Sequence, residues 1–571
     1  MQGSTVRAGS PSWRNRVVAI AVALSAVLTT HTEPARAGVT AAETAHAAAS
    51  VHKTLVALSE SGYLTAAERF RYRRSLRLAM RVVRTLDLPG KARRRDELGS
   101  QIVMLRTLSS RGKLTPSRMR PLFRQLDANR VWFAASNPPK PLARVGVPGD
   151  PLVYAYYPGH GLQLQPLFNW TKVNGYWFAK DYAGMQALID ELAPLAVPQR
   201  GGWVSWEYAF DYPGSRAPWL SGMAQGVAIQ ALARAWQATQ DPRDLTLAQQ
   251  ALPGLGRRLA AGGLLVKSPS GRWWPLYTER PSLRVLNGDL QAVISLYDYA
   301  AITGDAQALA WAQDGARTAA AVLPKYDTGA WSRYHGSREA DLGYHDLMTL
   351  QLRQLALKSG DPTFRTYADR FAAYRVTPPV IAATTNGTVR AYPSVRDSPR
   401  AAVRVHARLS KISRVTLVVT DAAGATVAAS RLGTHRRGPL KARWNAQVRR
   451  RPAVAGDYQL WLSATDLAGN RSPRTPVGVV AVELDTQPPA VRILRVGRAN
   501  GHVRLRWRST DNASARLRIR VSVAGRTAML RGVPLSGRRT LSLAAPKGGF
   551  TAWITVSDES GNDVTYRRRA S

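Results

Sequence analysis

Tyrosines, a histidine and a carboxylate stand at the openings of successive apolar-periodic segments of this chain. Tyr334 lies in Trp331-Ser332-Arg333-Tyr334-His335-Gly336, Tyr344 directly precedes His345, and Glu279 and Arg280 come just before Asn287. A phenol hydroxyl donates or accepts a hydrogen bond, or acts as a base where arginines such as Arg333 depress its pKa. Tyr277 offers one more hydroxyl in the same loop as Glu279. Upstream, Ser221-Gly222-Met223-Ala224-Gln225-Gly226 opens a helix with small and polar residues. Two readings fit it. Ser221 and Gln225 line a cleft where glycines let backbone approach and helix-start amides favour an anion, or the segment is a cap followed by small residues at a helix crossing. Trp203, Trp206, Tyr208 and Tyr212 in one loop are of the types that stack on sugar rings and equally of the types that fill a core. Glu207 and Asp289 could form a carboxylate pair for glycosidic hydrolysis. His160, His335 and His345 lack metal-ligand spacing, so no metal site is expected there, and His345 reads as an orienting partner or a catalyst.

These residues need a scaffold of helices and loops. Apolar periodicity predicts helices near 180–193, 222–238, 244–261, 287–303, 305–323, 343–358 and 362–374, separated by loops rich in Trp, Tyr, Gly and Pro. Repeated helix, aromatic loop, helix over 152–375 predicts an α/α toroid whose loops gather at one end. Residues 45–135 read as a small helical domain, its basic stretch 69–95 a solvated face or a contact for anionic polymer, and 136–151 read as a Pro- and Gly-rich linker. After Pro378-Pro379 the period changes to two. "YQLWLSATDLAGN" at 458–470 and "FTAWITVSDESGN" at 550–562 repeat one pattern, and Pro378-Pro379 and Pro488-Pro489 precede the two blocks. Two immunoglobulin-like β-sandwiches, 376–486 and 487–571, are expected, making the chain a multidomain α + β protein. Their Asp-x-x-Gly-Asn ends read as turns, with calcium binding the lesser alternative.

The 571 residues contain no cysteine and carry a formal net charge of +43. Disulfides and thiolate metal sites are therefore excluded, and a surface this basic attracts polyanions. Residues 14–37 run Arg-Asn-Arg, an apolar stretch, then Ala35-Arg36-Ala37, the order of a secretory signal peptide. Residues 1–37 are thus expected to be removed near Ala37, leaving a secreted or envelope-associated protein with no membrane span. The charge does not choose among nucleic acid, anionic wall polymer and uronate-rich polysaccharide, and the sequence leaves the oligomeric state open.

The segments "PWLSGMAQGVAIQALARA", "VLNGDLQAVISLYDY", "LPKYDTGAWSRY" and "YHDLMTLQL" resemble, in order and spacing, the signature segments of the D-glucuronyl C5-epimerase C-terminal domain. The resemblance covers roughly 165–375 and implies a cofactor-independent inversion at C5 of a hexuronate in an acidic polysaccharide. The partner it implies is an acidic polysaccharide or cell-wall polymer, with no specific nucleic acid. Such chemistry neutralises the substrate carboxylate, stabilises enolate-like charge, and holds a base and an acid on opposite faces. By this resemblance Tyr334 and Tyr344 match functional tyrosines and Glu279 an acid/base or sugar ligand. Arg280 stands where the family has a tyrosine, and Met348 where it has a histidine. Arg280, Arg333, Asn287, His345, Ser221, Gln225, Tyr277, Trp206 and Tyr208 are the expected substrate-binding set. The competing expectations are a hydrolase or lyase on the same scaffold, and a non-catalytic envelope protein that binds glycan.

Overall fold

The computed structural model describes residues 38–384, 388–391 and 403–570. The expected signal peptide lies outside them. The chain divides between Ala373 and Tyr374 into two compact units.

The first unit is built from helices α1 (Ala41–Glu60), α2 (Ala66–Thr85), α3 (Ala92–Ser110), α4 (Pro116–Ala135), α5 (Pro166–Ala179), α6 (Tyr182–Leu192), α7 (Gly222–Thr239), α8 (Pro242–Ala251), α9 (Leu286–Thr303), α10 (Ala306–Tyr326), α11 (Leu342–Ser359) and α12 (Pro362–Tyr374). Local sequence sets their ends. Thr40 with Glu43 and Thr65 with Glu68 close capping boxes at α1 and α2. Ser221, Asp305 and Asp341 accept backbone N–H bonds at the starts of α7, α10 and α11, and left-handed Gly304 and Gly360 end α9 and α11. α5, α7, α9 and α11 pack successively, while α6, α8 and α10 cover α5, α7 and α9. α9 shows the consequence, being buried on every face from Leu286 to Ala300. Helices this enclosed gain their stability from packing, not from an amphipathic stripe.

Two expectations fail here for local reasons. The helix expected over 244–261 stops at Ala251, because Pro253 and the following glycines break it into short turns. Residues 136–151 are not a spacer, and 45–135 are not a separate domain. Arg144–Val147 forms strand β1, paired with β2 (Asp150–Tyr157), which pairs with β3 (Gly161–Leu164). Buried side chains of α3 and α4 then satisfy that sheet's backbone. Glu97 accepts from Gly159 and Gly161 N–H and from the Tyr156 hydroxyl, and Asn129 bonds both backbone groups of Leu162. Short hairpins complete the unit: β4 (Val197–Gln199) with β5 (Trp203–Ser205), β6 (Val266–Ser268) with β7 (Gly271–Trp273), and β8 (Arg333–His335) with β9 (Arg338–Glu339).

The second unit holds two blocks of mainly antiparallel strands. In the first, strands at 381–383, 403–409 and 438–444 face a five-stranded sheet, and alternate residues such as Val405, Leu417 and Leu460 fill one shared core. The second repeats this with strands at 490–499, 502–510 and 536–544 against a four-stranded sheet, around Trp507, Ile519 and Ile554.

Candidate functional site

Tyr334 is the middle residue of β8, and Tyr344 lies in the first turn of α11, where the Asp341 carboxylate accepts its backbone N–H at 2.9 Å. Hairpin and helix cap bring the two rings to 4.4 Å between centroids. Their hydroxyls share a hydrogen bond that favours ionisation of Tyr334 and opposes that of Tyr344. Tyr277 and Tyr212 are close enough to couple electrostatically to this pair. Tyr212 stacks on Tyr277 at 5.9 Å and meets Tyr157 of β2 edge-on at 6.1 Å. Tyr208 stacks on Trp219 at 4.0 Å, and Trp219 in turn packs on Tyr277 at 5.4 Å. Six phenols from widely separated segments thus form one cluster.

The cluster's electrostatics oppose the depressed tyrosine pKa expected from neighbouring arginines. Desolvation dominates, pushing Tyr334 up to about 12 and Tyr344, Tyr277 and Tyr208 further upward. Arg338, whose guanidinium carbon lies 5.5 Å from the Tyr334 ring centre, only partly offsets burial. All of these hydroxyls are neutral donors at neutral pH, and Tyr334 is the member of its pair more readily turned into a base.

The remaining expected residues fall into three groups. Arg280 is half-buried at the cluster's edge, its Nη1 donating to Pro213 O at 2.8 Å and its stem lying against Gly214, next to Tyr212. Arg333 is half-buried with Nη1 donating to Gly336 O at 3.3 Å, and Glu279 occupies an exposed turn. Ser221 and Gln225 form scaffold instead of cleft wall. Ser221 caps α7, and the buried Gln225 amide donates to Val204 O at 2.8 Å and Ala251 O at 2.9 Å. Gly226 allows α7 to reach α9, since a Cβ there would stand 3.1 Å from Ala292 Cα.

His345 and Trp206 are interior residues too. His345 bonds Ser332 Oγ through Nδ1 at 2.7 Å and Phe371 O through Nε2 at 2.9 Å, and stacks on Trp331 at 3.7 Å. Its role is to tie α11 to α12 and to the loop before Tyr334. Trp206 donates to Leu192 O at 2.8 Å and packs on Trp170, so it is no exposed sugar platform. Asn287, fully buried in the first turn of α9, has neither amide atom hydrogen-bonded among the described residues.

The proposed hydrolytic pair does not assemble as acid and nucleophile. Both Glu207 oxygens are taken by Arg118, at 2.6 and 2.8 Å, and Gln199 adds a third bond. Asp289 is fully buried, accepts only from Trp274 N–H among the described residues, and is pushed up to about 8 by desolvation. Sequence reasoning missed Tyr157 and Arg338 and left Tyr212 as a sugar platform. Tyr157 lies in a strand outside the resembling segments, and only its place in the aromatic run Tyr154-Ala155-Tyr156-Tyr157 hinted at it.

Residues 200–373 match the family model described as the D-glucuronyl C5-epimerase C-terminus. This part of the chain is thus similar to that family's C-terminal domain. A D-glucuronyl C5-epimerase of Caenorhabditis elegans is 30% identical over 177 residues, covering 27% of this chain and 29% of that protein. An uncharacterized protein of Methanocaldococcus jannaschii is 31% identical over 171 residues, covering 29% of this chain and 56% of that protein. The chain therefore spans about half the length of one relative and under a third of the other. Among solved structures, a GH76 α-mannanase of Bacteroides thetaiotaomicron aligns at 14% identity over 37% of this chain and 59% of its own, with a TM-score of 0.27. A D-mannose isomerase aligns at 12% identity over 49% and 74%, with a TM-score of 0.29. Scores this low carry no argument about fold.

Proposed function

We propose that the first unit is an α/α toroid whose tyrosine cluster inverts C5 of hexuronate residues in an acidic polysaccharide. The convergence of Tyr334, Tyr344 and Tyr277 from three separate segments of the family-matching region carries this reading. In it, Tyr334, ionised with help from the Tyr344 hydroxyl, takes the C5 proton, and the electron pair moves toward the substrate carboxylate. Arg280 neutralises that carboxylate where the family has a tyrosine, a guanidinium fork suiting both oxygens. Tyr277, a neutral donor, returns a proton to the opposite face. The residue types of 14–37 support export, and the basic, immunoglobulin-like blocks 376–486 and 487–571 support retention on anionic wall polymer.

Incubation of the chain with a panel of uronate polysaccharides, followed by analysis of hexuronate composition, tests this. A new C5 epimer in at least one polymer is expected, and no change in any of them contradicts the proposal. A non-catalytic glycan-binding reading is favoured by one observation, the exposed position of Glu279 beside Arg280. It predicts saturable binding of the same polymers with no epimer formed.

A further inference from the structure

The two strand blocks share a corner built to one plan. Asp466 and Asp558 each accept the backbone N–H of the asparagine four residues on, at 2.8 Å in both. Those asparagines, Asn470 and Asn562, donate at 3.0 Å to the carbonyls of Arg375 and Asp485, each of which lies three residues before a Pro-Pro pair. Lys411 and Asp511 match as well, each following the last inward-facing strand residue, Leu409 or Ser509, by two. The trio Arg375, Lys411, Asp466 in the first block therefore corresponds to Asp485, Asp511, Asp558 in the second.

In the first block that corner is filled by an internal cation. The Lys411 ammonium, 1% exposed, contacts Asp466 Oδ2 at 2.6 Å and donates to the carbonyls of Tyr374, at 2.9 Å, and Thr377. The second block replaces the ammonium with a carboxylate. Ligand oxygens of Asp485, Asp511 and Asp558 all lie within 4.8 Å of one another. Asp558 is 7% exposed, and Asp485 Oδ2 is shut off from solvent with no hydrogen-bond partner among the described residues. Three carboxylates at this spacing repel unless a cation lies among them.

We propose that the second block binds a calcium ion at Asp485, Asp511 and Asp558, in the place where the first block holds the Lys411 ammonium. An all-oxygen set selects a hard cation, and oxygens up to ~5 Å apart suit ligand distances of about 2.3–2.6 Å around calcium. The carbonyls of Leu484 and Gln487, which match those of Tyr374 and Thr377, supply further ligands, and water completes the shell. The ion thereby pins the strand linker, the loop after strand 502–510 and the turn after strand 550–557 to one another.

Calorimetric titration of the full chain with calcium chloride, with thermal unfolding in calcium and in chelator, tests this. The parent binds one equivalent, and its C-terminal transition moves up by several degrees with calcium. Asp485→Asn weakens binding at least tenfold. Asp511→Lys, which restores the first block's ammonium, abolishes binding and melts above the chelated parent. No calcium heat together with chelator-insensitive melting of the parent, or parent-like binding by both variants, overturns the proposal. This outcome is independent of any epimerase assay.

Discussion

In the proposed mechanism Tyr334 and Tyr344 divide the work through one hydrogen bond, which lowers the pKa of the first and raises that of the second. Because the bond to Tyr344 lowers the Tyr334 pKa, Tyr344→Phe removes a stabiliser of the Tyr334 phenolate and raises that pKa. We expect turnover at fixed pH to fall about tenfold, for a loss near one pK unit, with the rising limb of the pH profile displaced to higher pH. In the proposed mechanism Tyr334→Phe removes the base, and a loss of ~10² to 10⁴-fold is expected with little change in KM. With Tyr334 held near 12, kcat/KM should climb with pH through the neutral and mildly alkaline range; a profile that falls there would assign the base elsewhere. Asp289 makes a separate, structural prediction. Its folded pKa of about 8 lies above the unfolded value, so the stability tied to its bound proton is fully present at low pH and is lost as pH rises toward 8. The melting temperature of Asp289→Asn should therefore gain on that of the parent between pH 5 and 8. The types of these residues were legible in the sequence, but their electrostatics were not. Arginines lie near in sequence, yet burial outweighs them.

At the scale of elements, caps and periodicity gave most helices to within a residue or two, as at Leu286–Thr303 and Gly222–Thr239. The opening of α7 shows where such reading stops. Small and polar residues suit a cleft wall and a helix crossing equally, and only the position of α9 decides between them. Gly226→Val should destabilise the first unit by roughly 1–3 kcal/mol by overpacking against Ala292, measured by chemical denaturation. In the first strand block, Lys411→Met leaves a buried, unpaired Asp466 and should cost about 3–5 kcal/mol. The Asp-x-x-Gly-Asn repeat was visible at once. That a lysine completes it in one block and an aspartate in the other emerged only from the fold, because Lys411 and Asp511 lie far from it in sequence.

For the whole molecule, proline and glycine content suggested a linker where the structure has a strand, and the N-terminal helices belong to the first compact unit. Composition could not reveal this, since Glu97, Gln125 and Asn129 look like ordinary helix-surface polar residues until β3 supplies their partners. The second block displays its basic charge in ladders. Arg504, Arg506 and Arg508 point outward along one strand, and Arg506 lies directly opposite both Arg495 and Arg538. Like charges so placed are costly without counter-anions, so binding of anionic polymer by the full chain should weaken steeply with added salt. Catalysis is a different matter from adhesion, and proton exchange at C5 separates them. The most direct measurement is deuterium uptake from D2O into uronate polysaccharide, comparing the parent with Tyr334→Phe. The account predicts deuterium at C5 of the hexuronate with the parent and background incorporation with the variant; equal incorporation by both, or none by either across the polymer panel, would contradict it.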